Sequence, residues 1–174
     1  MSGRPGVFLD TGALFSAVYS ATSGPRTILR LGEAGAIDLW VGPWVLRETE
    51  AVMEQKLPAS KAYFAVLLDR SGIRVTTEAN EELLAAARAI VSYLPEAQIV
   101  AEALTAGVDY FVSFDREHLL GNPHTEGLSF PMGTAGDFLA WYRQRLIESD
   151  DWPSIGRKEA HMRLPPLDPA PRSR

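Results

Sequence analysis

Short apolar runs alternate along most of the chain with longer stretches in which apolar residues recur at helical spacing. The first run, Gly6-Val-Phe-Leu9, predicts a buried strand that ends directly before Asp10. The other predicted strands share this short apolar or alternating pattern and cover residues 37–41, 73–75, 110–113 and 128–130.

Helical periodicity fills the intervals between these runs. The predicted helices cover residues 12–19, 25–33, 43–57, 60–70, 83–91, 96–106 and 134–147. Proline favours the first helical turn at Pro25 and Pro95, and glycine favours helix ends at Gly72 and Gly107. Either Thr77 or Asn80 would cap the helix that follows. Strands that alternate with helices predict an α/β fold, a three-layer α/β/α arrangement with a central parallel sheet.

The length and composition fit one domain with a tail. The 174 residues are 46% hydrophobic and 22% charged, which is ordinary for a globular protein. We expect a domain over residues 1–150 and an extended or disordered tail over 151–174, which is rich in proline and arginine. The absence of cysteine excludes disulfides and zinc sites of the cysteine type.

Charge is distributed unevenly. Of the net charge of −5, residues 157–174 contribute +3, which leaves −8 on residues 1–156. An acidic body is not typical of a passive nucleic-acid binder, so metal ions would have to supply positive charge if the substrate is a polyanion. The opening residues lack the pattern of a secretory signal, and no apolar run approaches the length of a membrane span. A cytoplasmic protein without a membrane partner is therefore expected.

Four acidic residues stand where a parallel sheet would gather them. Asp10 follows the first strand, and Asp115 lies two residues beyond the fourth. Glu48 is near the start of the helix after the second strand, and Glu96 is in the first turn of the helix that precedes the fourth. Ligands of open parallel sheets bind at the carboxyl ends of the strands, so these four positions can converge on one edge.

Each acid also has a structural explanation when it is taken alone. An acid in the first helical turn is favoured by the helix dipole, which would account for Glu96. Aspartate is a good cap or turn residue, which would account for Asp10 and Asp115. Glu48 could pair with a nearby arginine on the helix surface. Together the four favour a divalent cation, because carboxylates at close range repel one another and Mg²⁺ and Mn²⁺ prefer oxygen ligands.

From residue 7 to about residue 146 the sequence resembles the PIN-domain ribonucleases, which include the VapC-type toxins. Four segments carry the resemblance: Val7-Phe-Leu-Asp10-Thr-Gly-Ala-Leu, Trp44-Val-Leu-Arg-Glu48, Glu96-Ala-Gln-Ile-Val-Ala101 and Ala106-Gly-Val-Asp-Tyr-Phe-Val-Ser-Phe-Asp115-Arg-Glu-His-Leu-Leu120. The last segment is the most specific, because the spacing from Gly-x-Asp to the terminal Asp is characteristic. Glu96 stands where the family commonly has aspartate, and Gly12 replaces its usual asparagine or serine.

The resemblance implies a metal-dependent endoribonuclease. Asp10, Glu48, Glu96 and Asp115 would bind Mg²⁺ or Mn²⁺ and carry catalysis, with the hydroxyls of Thr11 and Ser113 supporting them. The substrate would be RNA. Members of this family often act as toxins with an inhibitory antitoxin and often dimerise, so an antitoxin and a second copy of the chain are the candidate protein partners.

Several other residues carry side chains that could bind a substrate or a partner. Arg116 is a candidate phosphate contact, with a surface salt bridge as the alternative. His118 is expected to pack or cap after the Asp115 turn. Tryptophan and tyrosine at Trp40, Trp44, Trp141 and Tyr142 favour the core or a dimer face over base stacking.

Three alternative functions follow from the same residues. The segment Leu9-Asp-Thr-Gly-Ala13 matches the aspartic-protease signature, but such proteases need a largely β fold. A strand that ends in aspartate is also found in aspartyl-phosphate enzymes, which usually carry a second aspartate where this chain has Gly12. The stronger rival is a PIN-like domain that binds protein or RNA and no longer cuts, favoured by Glu96 and Gly12.

Overall fold

The computed structural model describes residues 3–148, which form five short strands and seven helices. The strands are β1 (Gly6–Leu9), β2 (Asp38–Val41), β3 (Arg74–Val75), β4 (Tyr110–Val112) and β5 (Met132–Gly133). The helices are α1 (Thr11–Tyr19), α2 (Gly24–Glu33), α3 (Pro43–Lys56), α4 (Lys61–Ser71), α5 (Glu81–Ile90), α6 (Leu94–Ala106) and α7 (Ala135–Glu148). Short helical turns cover Pro58–Ser60, Arg116–Leu120 and Pro123–Gly127. The predicted tail, residues 151–174, lies outside the described residues.

The five strands form one parallel sheet in the order β3-β2-β1-β4-β5, with helices on both sides. This confirms the predicted α/β fold. The sheet is buried because its central strands are apolar on both faces. Phe8 of β1, for example, is opposite Phe111 of β4 and packs edge-on against its ring at 5.3 Å between centroids.

The predicted last strand at residues 128–130 is wrong. Strand β5 lies at Met132–Gly133, and its hydrogen bonds with β4 begin where the Phe111 N–H donates to the Pro131 carbonyl at 3.0 Å. The apolar character of the preceding segment has another cause. Phe130 is buried against Phe111, with 6.0 Å between the ring centroids. Its apolar character therefore reflects side-chain packing, while strand pairing starts later.

Helix ends follow local chemistry. Asn80 caps α5 by accepting the Leu83 N–H at 2.9 Å, so it is this residue and not Thr77 that begins the helix. Helices α4 and α6 end at Gly72 and Gly107, whose φ angles of 63° and 61° are left-handed and favour glycine. Among residues 3–148, no helix is long and apolar enough to cross a membrane.

Candidate functional site

The sheet changes winding direction at the boundary between β1 and β4. From β1 the chain adds β2 and β3 on one side, and then returns to add β4 and β5 on the other. Loops that leave neighbouring strands in opposite directions open a crevice at the carboxyl ends of those strands. The first residues after β1 and β4 are Asp10 and Ser113, so both enter this crevice from the sheet itself.

Asp10 is buried and held by three hydrogen bonds. Its Oδ1 accepts the Ala13 N–H at 2.6 Å, which caps α1, and its Oδ2 accepts the Ser113 hydroxyl and the Phe114 N–H, the latter at 3.3 Å. Burial raises the pKa of Asp10, the hydrogen bonds oppose that rise, and the negative charge of Asp115 adds to it. Asp10 is therefore at once a helix cap and a member of an acidic cluster.

Glu48 lies in the second turn of α3 and reaches α1. Its Oε2 accepts the hydroxyl proton of Thr11, the residue directly after Asp10. The contact places the Glu48 carboxylate at the Asp10 side of the crevice. The alternative in which Glu48 pairs with an arginine has no support within residues 3–148, where the ion pair of nearby Arg47 is with Glu78.

Asp115 is fixed by the turn that follows it. Its Oδ1 accepts the backbone N–H groups of Glu117 and His118 at 2.8 and 2.9 Å, and its Oδ2 lies 3.0 Å from His118 Nδ1. Partial burial raises the pKa of Asp115, but the hydrogen bonds from His118 and Glu117 outweigh it and leave the pKa below its ordinary value. The same contact raises the pKa of His118. The Asp115 N–H donates to Ser113 Oγ at 2.9 Å, so Ser113 bridges Asp10 and Asp115.

Glu96 completes the cluster from the first turn of α6. Burial raises its pKa to about 7, and the neighbouring charge of Asp115 contributes to the rise. Within the described part of the chain, its Oε2 is buried without a hydrogen-bond partner. Ligand atoms of Glu96, Asp115 and His118 all lie within 4.8 Å of one another. The structure thus brings Glu96 and Asp115 together with His118 and links Asp10 to Asp115 through Ser113, whereas the contact of Glu48 is with Thr11, the residue after Asp10.

The residues beside the acids occupy different positions. Gly12 lies against Asp10 without crowding it: a Cβ there would lie 3.6 Å from Asp10 Oδ1, an ordinary contact. Arg116 is exposed, and its charge helps to lower the pKa of Asp137, for which the hydrogen bonds from Thr134 are the main cause. The positive charge of Arg116 is therefore near Asp137 in the first turn of α7. A phosphate contact from Arg116 remains a prediction.

The donor set fits a hard divalent cation. Two carboxylates, those of Glu96 and Asp115, and the His118 imidazole offer ligand atoms to one region, and one Glu96 oxygen is buried with no donor facing it in the described residues. Without a cation, burial and mutual repulsion force Glu96 to keep its proton up to about neutral pH. Oxygen-rich ligand sets of this kind suit Mg²⁺ or Mn²⁺. The residues that would hold the ion are Glu96, Asp115 and His118, with Asp10 linked to Asp115 through Ser113 and Glu48 in contact with Thr11 beside Asp10.

Two residues at the site were not singled out as functional from the sequence. The sequence predicts only packing or capping for His118, but its ring contacts Asp115 and stacks on Tyr93 with 4.5 Å between ring centroids. The signal was its spacing, because a residue three positions after Asp115 returns to it within one helical turn.

Glu102 is the second missed residue. It is fully buried in α6, and its Oε1 accepts the Trp44 N–H at 2.8 Å, at the start of α3. Burial raises the pKa of Glu102 while the backbone N–H groups of α3 oppose the rise. A Cβ on Gly42 would overlap this carboxylate. Glu102 therefore fixes the helix that carries Glu48 to the helix that carries Glu96. An acid among the apolar residues in the later turns of α6 is the available signal.

The fold and the site define this chain as a parallel α/β domain with an acidic cluster at its winding switch. No protein-family model matches the sequence, and no curated protein matches it. Among solved structures, the chain is similar to VapC20 of Mycobacterium tuberculosis, described as a toxin that cleaves the sarcin-ricin loop. The two share 18% identity with a TM-score of 0.47, over 64% of this chain and 91% of that one. What this chain does must therefore be inferred from its own residues.

Proposed function

We propose that this protein is a metal-dependent endoribonuclease whose centre is formed by Asp10, Glu48, Glu96 and Asp115. One observation carries the proposal. Glu96, Asp115 and His118 place ligand atoms within 4.8 Å of one another beside Asp10, and a buried Glu96 oxygen there has no donor in the described residues. Removing neighbouring carboxylates from water is unfavourable, and such clusters are typical of functional sites. The arrangement therefore favours a site that binds a cation.

In this centre the carboxylates would bind the cation, and the hydroxyl groups of neighbouring residues orient the carboxylates. Ser113 donates to Asp10 and accepts from the backbone of Asp115, which fixes the distance between the two loops. Thr11 orients Glu48 in the same way. The chemistry that Mg²⁺ or Mn²⁺ supplies in oxygen-rich sites is the activation of water and the neutralisation of a leaving phosphodiester oxygen. Arg116 would contact a phosphate of the substrate from the exposed side of the Asp115 turn.

The rest of the functional prediction rests on the same centre. As a toxin, the protein would be inhibited by an antitoxin that places a cationic side chain among the carboxylates, since a guanidinium satisfies carboxylate oxygens in pairs. Such an antitoxin would compete with the metal, and a mutual exclusion between Mn²⁺ and the antitoxin in titrations would support this. The proposal also includes a homodimer as a candidate assembly and a cytoplasmic location.

The test is cleavage of a mixed single-stranded RNA pool with Mn²⁺, Mg²⁺ or EDTA. We expect cutting that depends on the metal and is lost in Asp10→Asn. Asp69→Asn is the matched control, because this aspartate is exposed on α4 and lies outside the acidic cluster. Equal cutting by Asp10→Asn would mean that the activity does not come from this centre. Metal binding without any cutting would favour the rival function, a binding module that no longer cuts.

A further inference from the structure

Two aromatic rings border the acidic cluster and are open to solvent. Phe114 is 42% exposed and Tyr93 is 48% exposed. Large apolar side chains at the surface are common singly, but these two belong to residues that contact the site: the Phe114 N–H donates to Asp10, and the Tyr93 ring stacks on His118. Their positions follow from the loops that form the site.

Phe114 lies on the Asp10 side. It stands between Ser113 and Asp115 in sequence, and its N–H donates to Asp10 Oδ2 at 3.3 Å. A Cβ on Gly12 would lie 4.0 Å from its ring, so the ring stands beside the start of α1. Within residues 3–148 no other aromatic ring packs against it. The backbone of Phe114 therefore serves the cluster while its ring faces water.

Tyr93 lies on the Asp115 side. It is the residue directly before α6, three positions before Glu96. Its ring stacks on His118, with 4.5 Å between centroids and 24° between planes, and His118 in turn contacts Asp115. One face of Tyr93 is thus used by the site, and about half of the residue stays exposed.

The charge of the protein explains what such rings would do. Residues 1–156 carry a net charge of −8, which makes cationic side chains a weaker source of affinity for RNA than they are in a basic protein. Stacking of bases on aromatic side chains does not depend on charge and tolerates any base sequence, but it requires bases that are unpaired and splayed apart. An acidic nuclease with exposed rings beside its carboxylates is suited to substrates of this form.

We infer that Phe114 and Tyr93 are stacking platforms for unpaired bases of the RNA next to the scissile phosphate. This inference rests on the proposed ribonuclease function. It assigns base contacts to the Phe114 ring and to the part of the Tyr93 ring that does not stack on His118.

The first experiment compares Phe114→Leu and Tyr93→Leu with wild type on a single-stranded RNA that is cut at one mapped position. Each change removes a ring and keeps an apolar side chain. We expect KM to rise roughly tenfold in each variant, within the range known for base–aromatic stacking, with a smaller change in kcat. Phe114→Trp and Tyr93→Phe keep a ring and should behave like wild type. Tyr19→Leu is the matched control, because Tyr19 is 69% exposed at the far end of α1.

The same RNA with abasic nucleotides on both sides of the cut site separates stacking from folding effects. On this substrate wild type should fall to the level of the two leucine variants, and the variants should lose nothing further. A leucine variant that loses as much on abasic as on intact RNA would show that its ring acts through structure, which overturns the inference. Duplex RNA of the same sequence should be cut poorly by all the proteins.

A binding measurement distinguishes failure of this inference from failure of the proposed function. A single-stranded RNA that contains 2-aminopurine is titrated with the full chain carrying Asp10→Asn, with and without each leucine change. If wild type cleaves no RNA but the fluorescence quenching still depends on the rings, stacking is supported and the nuclease function is rejected. Metal-dependent cleavage that is identical in wild type and both leucine variants would reject stacking and assign the two rings to a protein-docking face.

Discussion

Glu96 is the position where the acidic centre should reduce the stability of the metal-free protein. Its pKa is raised to about 7 in the folded chain by burial and by the charge of Asp115, against 4.5 for the ordinary carboxyl. Between these two values the folded state holds a proton that the unfolded state has released. Stability must therefore fall as pH rises from about 4.5 to about 7, and the loss is complete above that range. Asp10, whose pKa burial also raises, acts in the same direction.

The magnitude follows from the interval between the two pKa values. At about 1.4 kcal/mol per pKa unit, the upper bound on the loss in free energy of unfolding is about 3 kcal/mol. Glu96 is only partly buried, so water screens part of this, and we expect about 1 kcal/mol. Glu96→Gln keeps the shape and removes the charge. At pH 8 in EDTA it should raise Tm by about 3 °C, while at pH 5 the effect should be near zero.

The assay is thermal unfolding of both proteins at pH 5 and pH 8, in EDTA and in Mn²⁺. In Mn²⁺ at pH 8 the order should reverse, because wild type gains stability from the ion and Glu96→Gln loses a ligand. Glu50→Gln, an exposed acid on α3, controls for the general effect of removing a charge. The reasoning is refuted if Glu96→Gln destabilises the metal-free protein equally at both pH values, since the carboxylate would then be a structural hydrogen-bonding group.

Three further changes test the supports of the centre. Gly42→Ala should lower the free energy of unfolding in urea by about 2–3 kcal/mol, because the new methyl group must displace the buried Glu102 carboxylate. The double variant with Glu102→Ala should lose less than the sum of the two single losses. Additive losses would contradict the overlap. Ser113→Ala should cost about 1–3 kcal/mol at pH 8, because it leaves the buried Asp10 carboxylate one donor short, and less at low pH where that carboxyl is protonated. His118→Ala should weaken Mn²⁺ binding roughly tenfold by calorimetry, because its ring orients a ligand carboxylate; unchanged affinity would make it a packing residue only.

Local sequence patterns were sufficient for most of the fold. Predicted strands and helices agree with the observed ones within a few residues wherever an apolar period coincides with a start or stop residue, as at Pro25, Asn80 and Gly107. The exception is the strand predicted at residues 128–130. An apolar run shows that side chains will be buried, but it does not show whether the backbone pairs with a strand.

Placement of the acids could be predicted only in part. Asp10 and Asp115 follow strands, and parallel strands bring their carboxyl ends to one edge, so the sequence itself implies that these two lie close together. Metal binding and catalysis by the four acids remain predictions, and the experiments above test them. The link through Ser113, by contrast, is a contact between residues 103 positions apart in the chain.

Sequence alone determined the class of fold, the positions of the acids at strand and helix ends, and the acidic charge of the body, because these depend on local periodicity and on composition. Only the tertiary structure decided that Glu96 keeps a buried oxygen without a donor in the described region, that His118 joins Asp115, and that Glu102 fixes α3 to α6. Burial and hydrogen bonding depend on which helices pack together. That packing is set by the summed apolar contacts of the whole domain, which no single segment of the sequence encodes.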